Sequence, residues 1–253
     1  MQDRASKPRQ DDFSRFRVSL DTLPQRAVPS GTALFVCLVM SFSCPLCNHP
    51  HSQLFHQDKK RPYWRCPHCA LVFVAPPHHL SADAEKAQYD LHQNHCEDEG
   101  YRQFLNRLAQ PLIKKLGRPG LSGLDFGCGP GPLLAQILTE QGQKMAVWDP
   151  YFAPDPAPLQ NSYDFISCSE AIEHFATPAK EWQQWLQLLK PSGVLGIMTK
   201  RYLDQAGFAN WHYKNDPTHI SFFHQQTFEY LAQRDGLTVE FPAADVVLLQ
   251  KQN

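Results

Sequence analysis

The chain has 253 residues, with 24 Lys and Arg against 25 Asp and Glu, 42% hydrophobic residues and a pI near 6.9. That length suits one α/β core with a small appendage, and so even a balance gives no broad basic surface for nucleic acid, leaving room only for a local patch. Charged residues at 19%, 21 prolines, no low-complexity tract and no internal repeat describe a folded protein with many fixed turns.

Residues 1–39 differ from the rest of the chain: six Lys and Arg against four Asp and Glu, no apolar periodicity, then the apolar run Ala33 to Met40. The run is too short to span a bilayer, and its polar lead-in is long for a signal peptide. We expect a disordered tail, or a misread start with Met40 as the first natural residue, and a cytoplasmic protein with no membrane partner.

The next segment holds four cysteines in two C-x-x-C pairs, Cys44 with Cys47 and Cys66 with Cys69, eighteen residues apart. Two such knuckles brought together by a hairpin supply the closed tetrahedral thiolate shell that structural Zn²⁺ prefers. A closed shell builds structure and activates no water. A disulfide role is the alternative, disfavoured in a cytosolic setting. Residues 40–79 are therefore expected to form a zinc ribbon, with "YWRC" and "ALVFV" as strands. Cys96, with His92 and His95 nearby, lacks a fourth convincing ligand, and Cys128 and Cys168 read as small hydrophobes.

A helical connector or lid over 80–118 comes next. Ser81 caps one helix reaching toward Asn94, and Tyr101, Phe104, Leu105, Leu108 and Leu112 recur at helical spacing in another. Residues 119–253 are expected to form the main domain. "LSGLDFG" reads as a strand, "CGPG" as a bare turn, and Leu133, Leu134, Ile137 and Leu138 as the stripe of a helix with Pro132 in its first turn. "KMAVWDP" is the next strand, ending at Asp149, eighteen residues past Gly131. A carboxylate there can accept hydrogen bonds from both hydroxyls of a ribose. A dinucleotide fingerprint starting at Gly127 would need glycine at position 132, which is Pro132; this disfavours an NAD-dependent oxidoreductase.

The turn spells D-x-G-x-G-x-G from Asp125 through Gly127, Gly129 and Gly131, which resembles the first motif of class I S-adenosylmethionine-dependent methyltransferases. "YDFISCSEAIEHF", "LLKPSGVLGIMT" and "WHYKNDPTHISFF" resemble later segments of that family, the last one in a bacterial subfamily that often carries a four-cysteine ribbon in front. The likeness runs over roughly residues 40 to 251. It implies a Rossmann-like α/β sheet with an antiparallel last strand, preceded by the ribbon. The short link at "PAA" before "DVVLLQK" agrees, since it forces antiparallel pairing. Between Asp149 and Asp164 the chain is too short and proline-rich for the family's third strand and its helix, which normally supply adenine contacts; Leu159 and Gln160 stand in only as guesses.

By the same resemblance, S-adenosyl-L-methionine would lie against Gly127, Gly129 and Gly131, with Asp149 on the ribose diol and Asp125 holding the turn and the methionine amino group. Glu170 is counted with the cofactor side. Glu170, His174, His212, Asp216 and His219 are candidates to bind the acceptor or take its proton, imidazole titrating near working pH. Structural roles compete at each: Asp125 as a turn cap, His174 at a helix end, Asp216 and His219 satisfying a loop. Tyr89, His92 and Asn94 could form a lid, and Trp182 and Trp185 read as a buried helix face. The acceptor is unidentified, with a small molecule favoured and RNA or protein possible. The rival reading is a zinc-ribbon RNA- or protein-binding module fused to a non-catalytic methyltransferase-like domain.

Overall fold

The structure, a computed structural model, describes residues 41–91 and 98–252. The expectations for residues 1–39, Met40, His92, Asn94, His95 and Cys96 lie outside them. No helix among the described residues is long and apolar enough to cross a membrane.

In chain order, the ribbon gives β1 (Gln53–Gln57), β2 (Pro62–Arg65) and β3 (Val72–Phe73), and the connector α1 (Ala82–Tyr89) and α2 (Glu99–Leu116). Then come β4 (Ser122–Phe126), α3 (Leu133–Glu140), β5 (Lys144–Trp148), β6 (Tyr163–Ser169), α4 (Pro178–Leu188) and β7 (Leu189–Met198). The chain closes with α5 (Gln205–Ala209), β8 (Ser221–Phe222), α6 (Gln225–Asp235), β9 (Leu237–Ala243) and β10 (Val246–Lys251).

Six strands form the main sheet in the order β5-β4-β6-β7-β10-β9. β5, β4, β6 and β7 run parallel, and β10 is antiparallel to both β7 and β9. This is the α/β sheet expected from the sequence, with its last strand reversed. Among the described residues no strand lies between β5 and β6; a bridge from Asp149 to Ala153 and a 3-10 turn at Ala157–Gln160 fill the interval. β5 is therefore an edge. From β4 the chain moves to β5 on one side and later to β6 on the other, so the crevice at the carboxyl ends of β4 and β6 is a topological switch point, where open α/β sheets bind ligands.

Helix ends follow local chemistry. The Ser81 side chain accepts from Ala84 N, and the Asp98 carboxylate from the amides of Gly100 and Tyr101, satisfying N–H groups that have no partner inside a helix. α2 buries Leu105, Leu108, Ala109 and Leu112 and closes on Gly117 in the left-handed conformation. α3 buries all four leucine and isoleucine positions read from the sequence, and α4 buries Trp182 and Trp185.

Four boundaries differ from expectation. α1 ends at Tyr89, short of Asn94, and Pro132 precedes the first turn of α3 as its cap. "LLKPSGVLGIMT" resembles the family's helix end, Pro-Gly turn and fifth strand, but Pro191–Gly193 lie within β7 as an irregularity, where Tyr163 pairs with Leu189 and Phe165 with Val194. The final turn falls at Ala244 and Asp245, because Pro242 sits on the edge strand β9, which tolerates a residue without an N–H.

The ribbon shares a sheet with the C-terminal half. β3 pairs with β8 in the order β1-β2-β3-β8, Val72 opposite Phe222 and Phe73 opposite Ser221. One continuous apolar cluster joins Cys44, Cys66, Cys69 and Phe73 to Leu124, Ile166, Trp185 and Phe223. Arg61, only 6% exposed, donates to the carbonyls of Lys214, Asp216, Pro217 and His219 at 2.8 to 3.1 Å.

Candidate active site and four-cysteine centre

β4 delivers the chain into the bare turn. Gly127 and Gly129 have φ of 77° and 65°, a region that costs a side-chain-bearing residue roughly 1–2 kcal/mol. A Cβ on Gly127 would lie 2.7 Å from Ala171 Cβ, whereas one on Gly129 would meet nothing within 4 Å. Gly127 thus allows close packing of β4 against the loop after β6, and Gly129 keeps the turn's surface bare. Both line a cavity of about 610 Å³, well within the range of small-molecule and cofactor sites.

Asp149 lines the same cavity and is 7% exposed. Its carboxylate accepts from Gly129 N at 3.0 Å, Tyr151 N at 2.8 Å and Phe152 N at 3.0 Å, locking the end of β5 to the glycine turn. A carboxylate has about four lone-pair sites, so one remains for a ligand.

Asp125 and Gly131 are not on the cavity wall. Asp125 lies beneath the turn, accepts from Ser167 Oγ at 2.7 Å, and is pushed up to about 7 by burial and then by the charge of Asp149. It acts from below, as a carboxyl held well above the usual carboxylate range that ties β4 to β6. Gly131 is buried, its carbonyl accepting from Leu133 N. Leu159 and Gln160 belong to the 3-10 turn and do not line the cavity; Leu159 packs on the core.

The opposite wall comes from the loop after β6 and the segment before β8. Glu170, Glu173, His174, Asp216 and His219 all line the cavity, so the structure brings four of the sequence candidates together. His212 does not join them: it lies apart, with Lys200 Nζ 3.4 Å from its Nε2. Tyr89, a candidate lid residue, does line the cavity, donating to Glu85, which also accepts from Tyr151.

Electrostatics set the character of this wall. Burial pushes Glu170 up to about 8, with the neighbouring Glu173 adding to the shift, and Glu173, fully buried, is raised mainly by burial. Tyr213 donates to both carboxylates, and Thr199 Oγ1 donates to Glu173 at 2.9 Å. Burial first lowers His219. Its Nδ1 donates to Tyr213 O at 2.7 Å, which places the lone pair of its neutral ring on Nε2, and the His174 Nδ1 donates to Thr218 O at 3.2 Å. Asp216 is held below the usual carboxylate range: burial opposes its charge, but the amide and hydroxyl of Thr218 outweigh it.

Sequence reasoning missed Glu173, Tyr213 and Arg61. Glu173 could have been found, since it stands three residues after Glu170 and beside His174, so a tight turn puts both carboxyls on one side. Nothing in the local pattern marked Tyr213 or Arg61, whose partners come from remote segments.

At the ribbon, the two knuckles repeat one geometry. The amides of Asn48 and Ala70 donate to the carbonyls of Cys44 and Cys66, both at 3.0 Å, and the amides of Cys44 and Cys66 donate to His49 and Leu71, both at 2.9 Å. Asn48 and Ala70 both turn left-handed, at φ of 58° and 60°. All four Sγ atoms lie within 4.8 Å of one another, with Cys44 to Cys69 and Cys47 to Cys66 at 3.5 Å. These are free thiols, far beyond the roughly 2.05 Å of a disulfide. Zn–S bonds of about 2.3 Å place tetrahedral sulfurs about 3.8 Å apart, so the donor set fits zinc.

Comparison with family models matches residues 93–240, more than half of the chain, to the methyltransferase domain. The chain belongs to that methyltransferase family. No curated protein matches the sequence. Among solved structures, this methyltransferase is similar to an O-methyltransferase family protein from Burkholderia thailandensis, at 17% identity and a TM-score of 0.47 over 67% of this chain and 63% of that one. It is also similar to Burkholderia thailandensis 1,6-didemethyltoxoflavin-N1-methyltransferase with bound 1,6-didemethyltoxoflavin and S-adenosylhomocysteine, at 15% identity and a TM-score of 0.47 over 80% and 99%. A third likeness is to magnesium protoporphyrin IX methyltransferase from Synechocystis PCC 6803 with bound S-adenosylhomocysteine, at 12% identity and a TM-score of 0.43 over 67% and 94%.

Proposed function

We propose that this protein transfers a methyl group from S-adenosyl-L-methionine to an acceptor bound in the cavity at the β4–β6 switch point, and that its four cysteines hold a structural zinc. The observation that carries the reading is the glycine turn locked to Asp149, opening onto a cavity whose far wall holds Glu170, Glu173, His174, Asp216 and His219. The fit of the methyl donor is supported by the bare surface at Gly129 and by the lone-pair site left on Asp149. When bound, the donor supplies a methyl already activated on a sulfonium.

The chain's own residues then have two tasks. Gly127, Gly129 and Asp149 hold the donor, and the loop 214–219, fastened by Arg61, holds the acceptor wall opposite. Holding both partners in a near-attack arrangement can contribute roughly 7–11 kcal/mol. His219, lowered by burial, presents an Nε2 lone pair that can bind the acceptor or take its proton, with His174 beside it on the same wall. A small-molecule acceptor fits a cavity of about 610 Å³ better than RNA or a protein does, and the cytoplasm fits a centre of free thiols.

A thermal-shift series with S-adenosylmethionine, S-adenosylhomocysteine and NAD tests the reading. A ligand at about 100 times its Kd stabilises by about 2.7 kcal/mol. Both sulfur compounds should raise the melting temperature and NAD should not. No shift with either sulfur compound would overturn the proposal and leave the binding-module reading.

A further inference from the structure

The far wall of the cavity contains a constellation that methyl-donor binding does not explain. Glu173, His174 and His219 each offer one ligand atom, and these three atoms lie within 4.8 Å of one another. They come from two segments: Glu173 and His174 from the 3-10 turn after β6, His219 from the loop before β8. That loop is fixed by Arg61, and the Ile220 amide donates to the Glu173 carbonyl at 2.9 Å, so the two segments are tied to each other.

The orientation of each ring favours ligation. Both imidazoles donate Nδ1–H to backbone carbonyls, His174 to Thr218 and His219 to Tyr213. Carbonyls cannot donate, so each ring in its neutral form carries its lone pair on Nε2. This outer bond is the usual support of a metal-ligating histidine. His219 Nε2 faces Asp216 Oδ2 at 3.8 Å, a lone pair toward a carboxylate oxygen, with the imidazole proton committed elsewhere. Nitrogen and oxygen ligands at about 2.0–2.2 Å from one ion stand at most roughly 4.3 Å apart, so a cation shared by Glu173, His174 and His219 would draw together atoms that lie within 4.8 Å of one another.

Glu173 is fully buried, and its hydrogen-bond donors are the hydroxyls of Tyr213 and Thr199, which orient a carboxylate without neutralising it. Glu170 borders the cluster, sharing the Tyr213 hydroxyl, and its buried Oε1 has no hydrogen-bond partner. Two neighbouring carboxyls beside two imidazoles bring oxygen and nitrogen acceptors to one wall of the cavity.

We propose that Glu173, His174 and His219 bind a divalent transition-metal cation on the acceptor wall of the cavity, separate from the four-cysteine zinc. Two imidazoles and one carboxylate suit manganese, iron or zinc better than magnesium or calcium. Three protein ligands leave open positions on the cavity side, which oxygen atoms of an acceptor would complete. The placement of that acceptor rests on the methyltransferase reading; the cation site does not.

The test uses the full-length protein carrying one equivalent of zinc, titrated with Mn²⁺ alone and followed by the loss of the free-ion electron paramagnetic resonance signal. Mn²⁺ is too hard for the four thiolates, so it reports on this site. One Mn²⁺ per chain should bind, at least tenfold more weakly in His174→Ala and in His219→Ala, and unchanged in the exposed-site control His78→Ala. His219→Gln, which keeps a donor for Tyr213 O, guards against a folding defect and should also bind weakly. The proposal is overturned if the wild type takes up no Mn²⁺, or if a His174→Ala/His219→Ala double variant that still binds S-adenosylhomocysteine takes it up equally. S-adenosylhomocysteine titrated into the same samples separates the two readings: binding of it without Mn²⁺ removes the cation site alone, and Mn²⁺ without it removes the methyl-donor reading alone.

Discussion

Arg61 and His219 stand 158 positions apart in the chain, yet the guanidinium Nη2 of Arg61 donates to the His219 carbonyl at 2.8 Å. The same guanidinium holds the carbonyls of Lys214, Asp216 and Pro217. The ribbon is thereby a structural part of the acceptor wall. A planar fork of five donors suits this gathering of carbonyls, and an ammonium does not.

Arg61→Ala should therefore lower stability by about 3 kcal/mol, since hydrogen bonds to a charged group are worth about 1.5–3 kcal/mol and the carbonyls lose their partner in a buried site. At this chain length that is a fall of roughly 6–12 °C in melting temperature. Arg61→Lys should recover part of it. Urea midpoints of both variants check this; a wild-type midpoint in Arg61→Ala would refute the clamp.

Gly127 and Gly129 have similar φ but different neighbours, so their alanine variants should separate. Gly129→Ala carries only the conformational cost of about 1–2 kcal/mol. Gly127→Ala adds a clash with Ala171 Cβ and should cost more. Combining Gly127→Ala with Ala171→Gly should be less harmful than the sum of the single changes, a coupling read by a double-mutant cycle. Strict additivity would place the strain elsewhere.

Asp125 predicts a pH dependence. Its folded pKa is raised from 3.8 to about 7, chiefly by burial, so the folded state holds a proton that the unfolded chain releases near pH 4. The contribution to stability is full below about 3.8 and is lost as pH rises through about 7. Asp125→Asn, which mimics the neutral carboxyl, should flatten the fall in urea midpoint between about pH 4 and pH 7. An unchanged slope in that variant would show that the carboxyl is already charged.

If the four cysteines hold zinc as proposed, stripping it should unfold more than the ribbon. Cys44, Cys66 and Cys69 share an apolar cluster with Leu124 and Ile166, and β3 pairs with β8. Metal analysis should find one zinc per chain, lost in Cys66→Ser, and calorimetry of the stripped protein should show the main transition itself moved down. A separate low-temperature transition that leaves the main one in place would mean that the two parts are energetically independent.

The parts of this molecule that are legible in the sequence are those set by local chemistry. The run from Ser122 to Asp149 alternates strand, bare turn, amphipathic helix and strand, and each piece obeys its own periodicity. The absent third strand is legible because prolines crowd a short interval. The paired knuckles are legible because two C-x-x-C spacings fix the geometry. What escapes depends on contacts across the chain: β3 and β8 are two residues each and pair only because the folded core brings them together. The motif assigns Asp125 to the ligand, yet the depth of the turn places it under the cavity floor. Glu173 escapes because a buried glutamate looks, in sequence, like any surface one.

The most direct test of the central claim is calorimetric titration of S-adenosylhomocysteine into the full-length protein and into Asp149→Ala. The structure predicts one site per chain in the wild type and at least a tenfold loss of affinity in the variant, about 1.4 kcal/mol or more, with zinc content unchanged. No binding to the wild type, or equal binding to both proteins, would contradict a methyl-donor site at the glycine turn.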